Sequence, residues 1–209
     1  MTDFEMLKNA MKSGKAAEVR ERVEAALAAG IAAQDLLNNG LLAAMGEVGQ
    51  RFKNNEVFVP EVLVAARAMK AGTLVLKPHL VKAGVQSVAT AVMGTVKGDL
   101  HDIGKNLVIM MLEGAGFAVI DAGVDVPPEK FVALAREHGA KIVGLSALLT
   151  TTMTGMKGAV DAIRAAGLET KVIIGGAPVT QAYCDAIGAD GYSADAASAA
   201  DLARQLIAG

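Results

Sequence analysis

Apolar residues recur every three or four positions through the first 84 residues, which is the spacing of one face of an amphipathic helix. Four segments show it, with apolar-face positions Phe4, Leu7 and Met11; Val19, Val23 and Leu27; Leu41, Met45, Val48 and Phe52; and Val62, Ala66, Met69, Thr73 and Leu76. Pro60 suits the first turn of the fourth helix, where an N–H would have no partner, and Pro78 is expected to end or kink that helix. The pattern predicts an N-terminal four-helix bundle over residues 1–84.

After Gly84 the pattern changes to short, wholly apolar runs that alternate with helix-like stretches. The predicted strands are residues 88–93, 118–123, 142–149, 172–176 and 191–194. Strands that are apolar on both faces indicate a parallel sheet covered on both sides by helices. Residues 85–209 are therefore predicted to form a Rossmann-like α/β domain, a doubly wound, five-stranded parallel sheet in the flavodoxin-like order.

Composition narrows the class of protein. The chain has 209 residues, of which 53% are hydrophobic, with a formal net charge of -2 and one cysteine. The weak negative charge gives no reason to expect nucleic acid or an anionic membrane as a partner. The single cysteine excludes a disulfide within the chain, and no apolar run reaches the length of a membrane span. These features predict a cytoplasmic protein.

Three unusual loops follow predicted strands, at the edge where open α/β sheets bind their ligands. The first holds GDLHDIGK at residues 98–105, the second SALLTTT at 146–152 and the third GGAP at 175–178. The first loop is neither a dinucleotide fingerprint nor a phosphate-binding loop, because its glycines have the wrong spacing for both. Its distinctive feature is Asp99, which precedes His101 by two residues.

An imidazole next to a carboxylate is typical of a metal ligand whose second nitrogen is held in place. A serine-hydrolase site is disfavoured because the chain lacks the GxSxG elbow. A zinc site is also disfavoured, since His79 and His138 lie in other parts of the sequence and cannot complete a ligand set. A macrocycle that brings its own equatorial ligands needs only one axial histidine.

Three motifs carry a resemblance to a known family: Asp99-x-His101-x-x-Gly104, Ser146-x-Leu148 and Gly175-Gly176. Together they resemble the signature of the cobalamin-binding domains of methionine synthase, the coenzyme-B12 mutases and the corrinoid proteins of anaerobic methyltransferase systems. The segment 45–72 is similar to the helical cap of methionine synthase and the corrinoid proteins, which mutases lack.

The resemblance implies a role for each matching residue. His101 would be the lower axial cobalt ligand in place of the dimethylbenzimidazole of cobalamin, Asp99 would hold its other nitrogen, and Thr152 would stand where methionine synthase has a relay serine. Phe52 and Val59 match positions that pack over the upper face; the alternative for both is ordinary bundle core. The implied cofactor-binding residues are Gly98, Asp99, Leu100, His101, Asp102, Ile103, Gly104, Ser146, Leu148, Thr150, Thr152, Gly175, Gly176, Ala177, Phe52 and Val59.

The function implied is that of a methyl-carrying corrinoid protein and not an enzyme in its own right, with methylcobalamin as the loaded state. Its expected partners are a substrate-specific methyltransferase, a second methyltransferase acting on tetrahydrofolate or a thiol, and a reductive activator. One alternative is a cobalamin storage or delivery protein. Another is a B12-dependent regulator, which is less favoured because residues 1–30 show no basic recognition helix.

Overall fold

The computed structural model describes residues 3–208, and these divide into two compact units. The first unit ends at Ser87 and the second begins at Val88. The helices of the first unit are α1 (Asp3–Lys12), α2 (Ala16–Ala28), α3 (Ala33–Asp35), a π-helical segment (Leu36–Leu42), α4 (Ala43–Lys53) and α5 (Val59–Lys82). None of the helices in the described part of the chain is long and apolar enough to cross a membrane.

The predicted helical bundle is confirmed, with α3, the π segment and α4 running on from one another as its third member. The apolar faces predicted from the sequence form its core: Met11, Val19, Val23, Leu41 and Val62 are all fully buried. The π segment was not expected. It contains Gly40, where an added Cβ would lie 2.7 Å from Leu7 Cδ2, so α1 packs directly against its backbone.

Of the two effects predicted for Pro78, an end to the helix is not observed, because α5 continues to Lys82. Proline removes a single helical hydrogen bond, and at this position only the last turn lies beyond it. The loss is small in an exposed final turn. The other proline agrees with the prediction, since Pro60 lies at the start of α5.

The second unit alternates strands with helices, as predicted. Its elements are β1 (Thr90–Val96), α6 (Ile103–Gly114), β2 (Ala118–Val126), α7 (Pro128–Glu137), β3 (Ile142–Ser146), α8 (Thr150–Met153), α9 (Gly155–Ala165), β4 (Lys171–Gly175), α10 (Gln181–Ile187), β5 (Gly191–Tyr192) and α11 (Ala196–Ala208). All strand pairs are parallel in the order β2-β1-β3-β4-β5, which is the flavodoxin-like order. Helix α6 packs with α11, and α7 packs with α9.

The sheet brings the ends of β1, β3 and β4 to one edge. Thr95 pairs with Ser146, and Ser146 pairs with Gly175. Because the strands are parallel, the loops that follow them emerge side by side. Strand β3 is shorter than predicted, since residues 147–149 leave the ladder to form one of these loops. The described structure thus positions all three predicted motifs at the same edge.

Candidate functional site

The first loop, residues 97–102 between β1 and α6, is called the His101 loop below. It begins where β1 ends at Val96 and finishes where α6 begins at Ile103. Inside it, the Asp99 side chain is buried while the His101 side chain is 53% exposed. The buried strand end therefore places a carboxylate beneath the surface and an imidazole on it.

The Asp99 carboxylate accepts four hydrogen bonds. Its Oδ1 accepts from the backbone N–H of His101 at 3.0 Å and from His101 Nδ1 at 2.8 Å. Its Oδ2 accepts from the backbone N–H of Leu148 at 2.8 Å and from Thr152 Oγ1 at 2.6 Å. Asp99 thereby joins the His101 loop to the loop after β3.

These bonds determine the charge of Asp99. Burial alone would raise its pKa, but the hydrogen bonds from Thr152, Leu148 and His101 outweigh burial and hold the pKa of Asp99 far below its ordinary value of 3.8. The carboxylate is therefore ionised at neutral pH, and an ionised carboxylate can only accept hydrogen bonds.

The charge of Asp99 in turn fixes the tautomer of His101. Since Asp99 only accepts, Nδ1 of His101 must carry the proton in the 2.8 Å bond. The other ring nitrogen, Nε2, has no hydrogen-bond partner within residues 3–208, and in the neutral imidazole it carries the lone pair. A neutral imidazole in this tautomer, supported by a carboxylate, is the usual form of a metal-binding histidine.

Thr152 occupies the position predicted to complete the relay. Its hydroxyl lies on α8, the short helix Thr150–Met153 that follows the loop after β3. The hydroxyl is also 3.1 Å from the carbonyl of Leu149, but the contact with Asp99 is the shorter. The structure thus brings His101, Asp99 and Thr152 together in one continuous hydrogen-bonded chain.

Large exposed apolar side chains lie in and beside the two loops that Asp99 joins. Leu100 is 72% exposed and Ile103 is 77% exposed, on either side of His101 in the sequence, while Leu148 and Leu149 are exposed in the neighbouring loop. We call these four residues the apolar platform. Exposed apolar clusters of this kind mark sites where something apolar binds.

Gly176 lies in the third loop, with φ of +132°, in a region that side chains rarely adopt. A Cβ at this position would lie 1.9 Å from the carbonyl oxygen of Ala147, so any other residue is excluded. Gly175, the last residue of β4, has no side chain. Its carbonyl accepts a hydrogen bond from the N–H of Ala147 at 3.3 Å. Gly175 and Gly176 therefore present bare backbone, here called the floor, and the side-chain space of both is occupied by backbone atoms of Ser193 and Ala147.

The remaining predicted residues are distributed as follows. Gly98, Asp102 and Gly104 are exposed in or beside the His101 loop, and Ser146, half-buried, ends β3. Exposed Thr150 begins α8, and exposed Ala177 follows Gly176. Phe52 and Val59 belong to the other unit, where both are half-buried and not part of the fully buried core.

Sequence reasoning missed two residues that hold the His101 loop. Thr95, fully buried, donates its hydroxyl to the carbonyl of His101 at 2.7 Å. Asp125 accepts from the N–H of Gly98 at 2.7 Å. A signal for Asp125 was present, because two aspartates, at 121 and 125, interrupt an apolar strand pattern near its carboxyl end.

A second connection fixes the start of α6. Lys105 is buried, and its Nζ donates to Asp121 Oδ1 and to Asn106 Oδ1, both at 2.7 Å. Asp121 lies on β2, so the first turn of α6 is tied to the neighbouring strand. A buried lysine needs such partners because an unpaired charge would be strongly destabilising.

These features match what a corrin ring and its nucleotide tail require of a protein. An exposed imidazole whose Nδ1 is held by a carboxylate suits an axial ligand, and the apolar platform suits contact with a macrocycle. The absence of side chains at Gly175 and Gly176, beside the end of β3, suits a tail that lies close to the sheet. The residues present therefore fit cobalamin.

Comparison with known proteins supports the same conclusion. Residues 89–201 and residues 3–77 each match a family described as a B12 binding domain. The chain is 45% identical over 177 residues to the dimethylamine corrinoid protein of Methanosarcina barkeri, covering 83% of each chain. It is 40% identical to a corrinoid protein of Desulfitobacterium hafniense (strain Y51), covering 99% of this chain and 98% of the relative.

A solved structure shows the same fold. The chain superposes on one chain of the methanol:cobalamin methyltransferase complex MtaBC from Methanosarcina barkeri with a TM-score of 0.89 and 31% identity. The match covers 99% of this chain and 80% of the MtaBC chain. The predicted fold, a helical N-terminal region followed by a Rossmann-like sheet, is confirmed, and so is the predicted cofactor class, cobalamin. The chain belongs to the family of cobalamin-binding corrinoid proteins.

Proposed function

We propose that this protein binds cobalamin with His101 as the lower axial ligand and carries a methyl group between two methyltransferases. The observation that carries the proposal is the hydrogen-bonded chain from Thr152 through Asp99 to Nδ1 of His101, which leaves Nε2 free at the surface. When bound, the cofactor supplies a cobalt atom that accepts and gives up a methyl group.

The chain's own residues support that chemistry by controlling the imidazole. Asp99 keeps the proton on Nδ1 and so keeps Nε2 available as a ligand. Whenever Nε2 is released and takes a proton, the same carboxylate stabilises the imidazolium. The Thr152 hydroxyl donates a hydrogen bond to Asp99 Oδ2 and so holds the carboxylate in place beside the imidazole.

The tail of the cofactor is assigned to the groove between the loops after β3 and β4. Ser146, Leu148 and Thr150 would line it, and the floor at Gly175 and Gly176 would let the displaced nucleotide lie against the backbone. Support comes from the sheet, which pairs Ser146 with Gly175, so that the loop carrying Leu148 and Thr150 emerges beside two residues without side chains.

The helical unit is assigned the role of a cap. We propose that Phe52 and Val59 cover the face of the corrin opposite His101 and exclude water from it. Support comes from the burial of these two apolar side chains, which are half-buried and so keep part of their surface available to a ligand.

The partners follow from the relatives. The solved relative is a complex of a methanol:cobalamin methyltransferase, and curated relatives carry the names of dimethylamine and trimethylamine corrinoid proteins. We therefore propose a substrate-specific methyltransferase as the donor partner, a second methyltransferase with tetrahydrofolate or a thiol as acceptor, a reductive activator, and a cytoplasmic location. The competing function is cobalamin storage or delivery.

The first prediction concerns the axial ligand. Protein loaded with cobalamin and reduced to the Co(II) state should show nitrogen coupling from the protein, because His101 Nε2 replaces the benzimidazole. Electron paramagnetic resonance with ring-labelled histidine measures this, and the coupling should vanish in His101→Ala but persist in His138→Ala, a histidine at the end of α7. Coupling from the benzimidazole nitrogen in the unmutated protein would refute the assignment.

The second prediction concerns the relay. Thr152→Val removes the hydroxyl donor to Asp99 and should lower the free energy of unfolding by about 1–2 kcal/mol, whereas Thr152→Ser should stay close to wild type. The pKa of Asp99 should also rise toward 3.8 in Thr152→Val, because one of the bonds that depress it is gone. Carboxyl NMR titration of the cofactor-free protein measures this shift.

The sign of the pH dependence follows from the same pKa. A depressed pKa in the folded state contributes stability above pH 3.8, and this contribution is lost as the pH falls below that value. Thr152→Val should therefore lose less stability on acidification than the wild type. Identical acid unfolding curves for wild type, Thr152→Val and Thr152→Ser would contradict the contact.

The third prediction tests the cap. Replacing Phe52 and Val59 by alanine should make the methylated protein photolyse faster and its reduced form oxidise faster, because water and oxygen reach the cobalt more easily. Leu74→Ala is the matched control, since Leu74 is a 59% exposed apolar residue of the same bundle. Equal rates in all three proteins would assign Phe52 and Val59 to bundle packing.

The fourth prediction separates a carrier from a storage protein. The isolated protein should transfer no methyl group catalytically between small molecules, yet should become methylated when given a donor-specific methyltransferase and a low-potential reductant. His101→Ala should still bind cobalamin through the tail groove but should cycle more slowly. Failure to accept a methyl group from any methylamine or methanol methyltransferase would favour storage, and steady turnover by the lone protein would overturn the carrier role.

A further inference from the structure

Asp125 lies at a break in the regular pairing of β1 with β2. Gly94 pairs with Gly123 and Val96 pairs with Val126, so Val124 and Asp125 lie opposite the single residue Thr95. This two-against-one arrangement is a β-bulge, a feature that re-aims a side chain at the end of a strand. Asp125 also has φ of 52°, in the left-handed region that non-glycine residues seldom adopt.

At the bulge, the carboxylate and the backbone N–H of Asp125 both bond to the His101 loop. The Asp125 carboxylate Oδ1 accepts from the N–H of Gly98 at 2.7 Å. The Asp125 N–H donates to the carbonyl of Asp99 at 2.9 Å. These two bonds, here called the Asp125 clamp, hold two consecutive residues of the loop from the β2 side.

The clamp completes a three-sided attachment of the loop. From the β1 side, Thr95 Oγ1 donates to the carbonyl of His101. From the β3 side, Leu148 and Thr152 donate to the carboxylate of Asp99. The Asp99 N–H also donates to the carbonyl of Val96 at 3.1 Å, within the turn that ends β1. The Asp125 clamp adds the bonds to the Gly98 N–H and to the Asp99 carbonyl, and so holds the backbone that carries the Asp99 side chain from the β2 side.

We propose that Asp125 is a positioning residue that orients His101 toward its ligand by clamping the backbone at Gly98 and Asp99. This inference rests on the proposed role of His101 as an axial ligand. Asp125 acts through Asp99: the bonds to Gly98 and Asp99 fix the backbone from which the Asp99 carboxylate reaches Nδ1 of His101, while Leu148 and Thr152 hold the carboxylate itself. The unfavourable backbone conformation at Asp125 is retained because the clamp requires it.

Three substitutions separate the contributions to the clamp. Asp125→Asn keeps an acceptor and tolerates the left-handed conformation, but its neutral oxygen is the weaker acceptor. Asp125→Gly tolerates the conformation and has no acceptor. Asp125→Ala loses the acceptor and disfavours the conformation. Asp161→Ala is the control, because Asp161 pairs with Lys157 on the surface of α9, where no site residue lies.

The first measurement uses the cofactor-free protein. Hydrogen exchange of the Gly98 amide should become roughly threefold faster in Asp125→Asn and roughly tenfold faster in Asp125→Gly, with Asp161→Ala unchanged. The imidazole nitrogen spectrum of His101 should change in the same order, as the fixed Nδ1-protonated tautomer gives way to a mixture. Unchanged Gly98 exchange and an unchanged His101 spectrum in Asp125→Gly would overturn the proposal.

The second measurement uses the cobalamin-loaded protein. In Asp125→Gly the ratio of His101-ligated to unligated Co(II), read from electron paramagnetic resonance, should fall roughly three- to tenfold. Cobalamin affinity should fall less, since the tail groove is intact. An equal fall in Asp125→Gly and Asp161→Ala would indicate general destabilisation and overturn a positioning role.

The two measurements keep the two proposals apart. If the wild-type Co(II) protein shows no coupling from His101, the axial role fails, while the exchange and imidazole spectra of the cofactor-free protein still decide whether Asp125 orients the ring. If Asp125→Gly and Asp125→Ala do not fold, Asp125→Asn decides alone, and wild-type values for Gly98 and His101 in that variant overturn the clamp.

Discussion

The site depends on one buried charge. Asp99 is ionised in the interior because four donors, from His101, Leu148 and Thr152, compensate for its removal from water. Removing donors would leave the carboxylate under-satisfied, so the loops after β1 and β3 must keep their places for the charge to be tolerated. The same requirement that stabilises the carboxylate thus fixes the geometry of the imidazole. A change that removes one of these donors would therefore affect both the stability of the loop and the position of His101.

Much of the architecture could be predicted because its signals are local. The spacing of apolar residues around Met11, Val23 and Val62 indicates the buried faces of three helices. Wholly apolar strands indicate a sheet that is covered on both sides. The motif Asp99-x-His101 likewise places a carboxylate and an imidazole within reach of each other by spacing alone. Each of these features follows from residues that are close in the sequence.

What the sequence could not provide depends on contacts between distant residues. The π segment at Leu36–Leu42 arises where Gly40 meets Leu7, and Asp125 reaches Gly98 only because a bulge forms between two strands. Strand β3 was predicted too long since Leu148 is apolar, yet its N–H leaves the sheet to bind Asp99. In each case a partner far along the chain overrides the local pattern.

The apolar platform links the binding of a cofactor to the stability of the folded chain. Leu100, Ile103, Leu148 and Leu149 are exposed, and exposed apolar surface favours association with other apolar surfaces. A ligand that covers them stabilises the folded chain by mass action, by about 2.7 kcal/mol when its free concentration is 100 times its Kd. Because a bound corrinoid would cover the platform, the folded fraction of the chain is expected to rise with the concentration of free corrinoid.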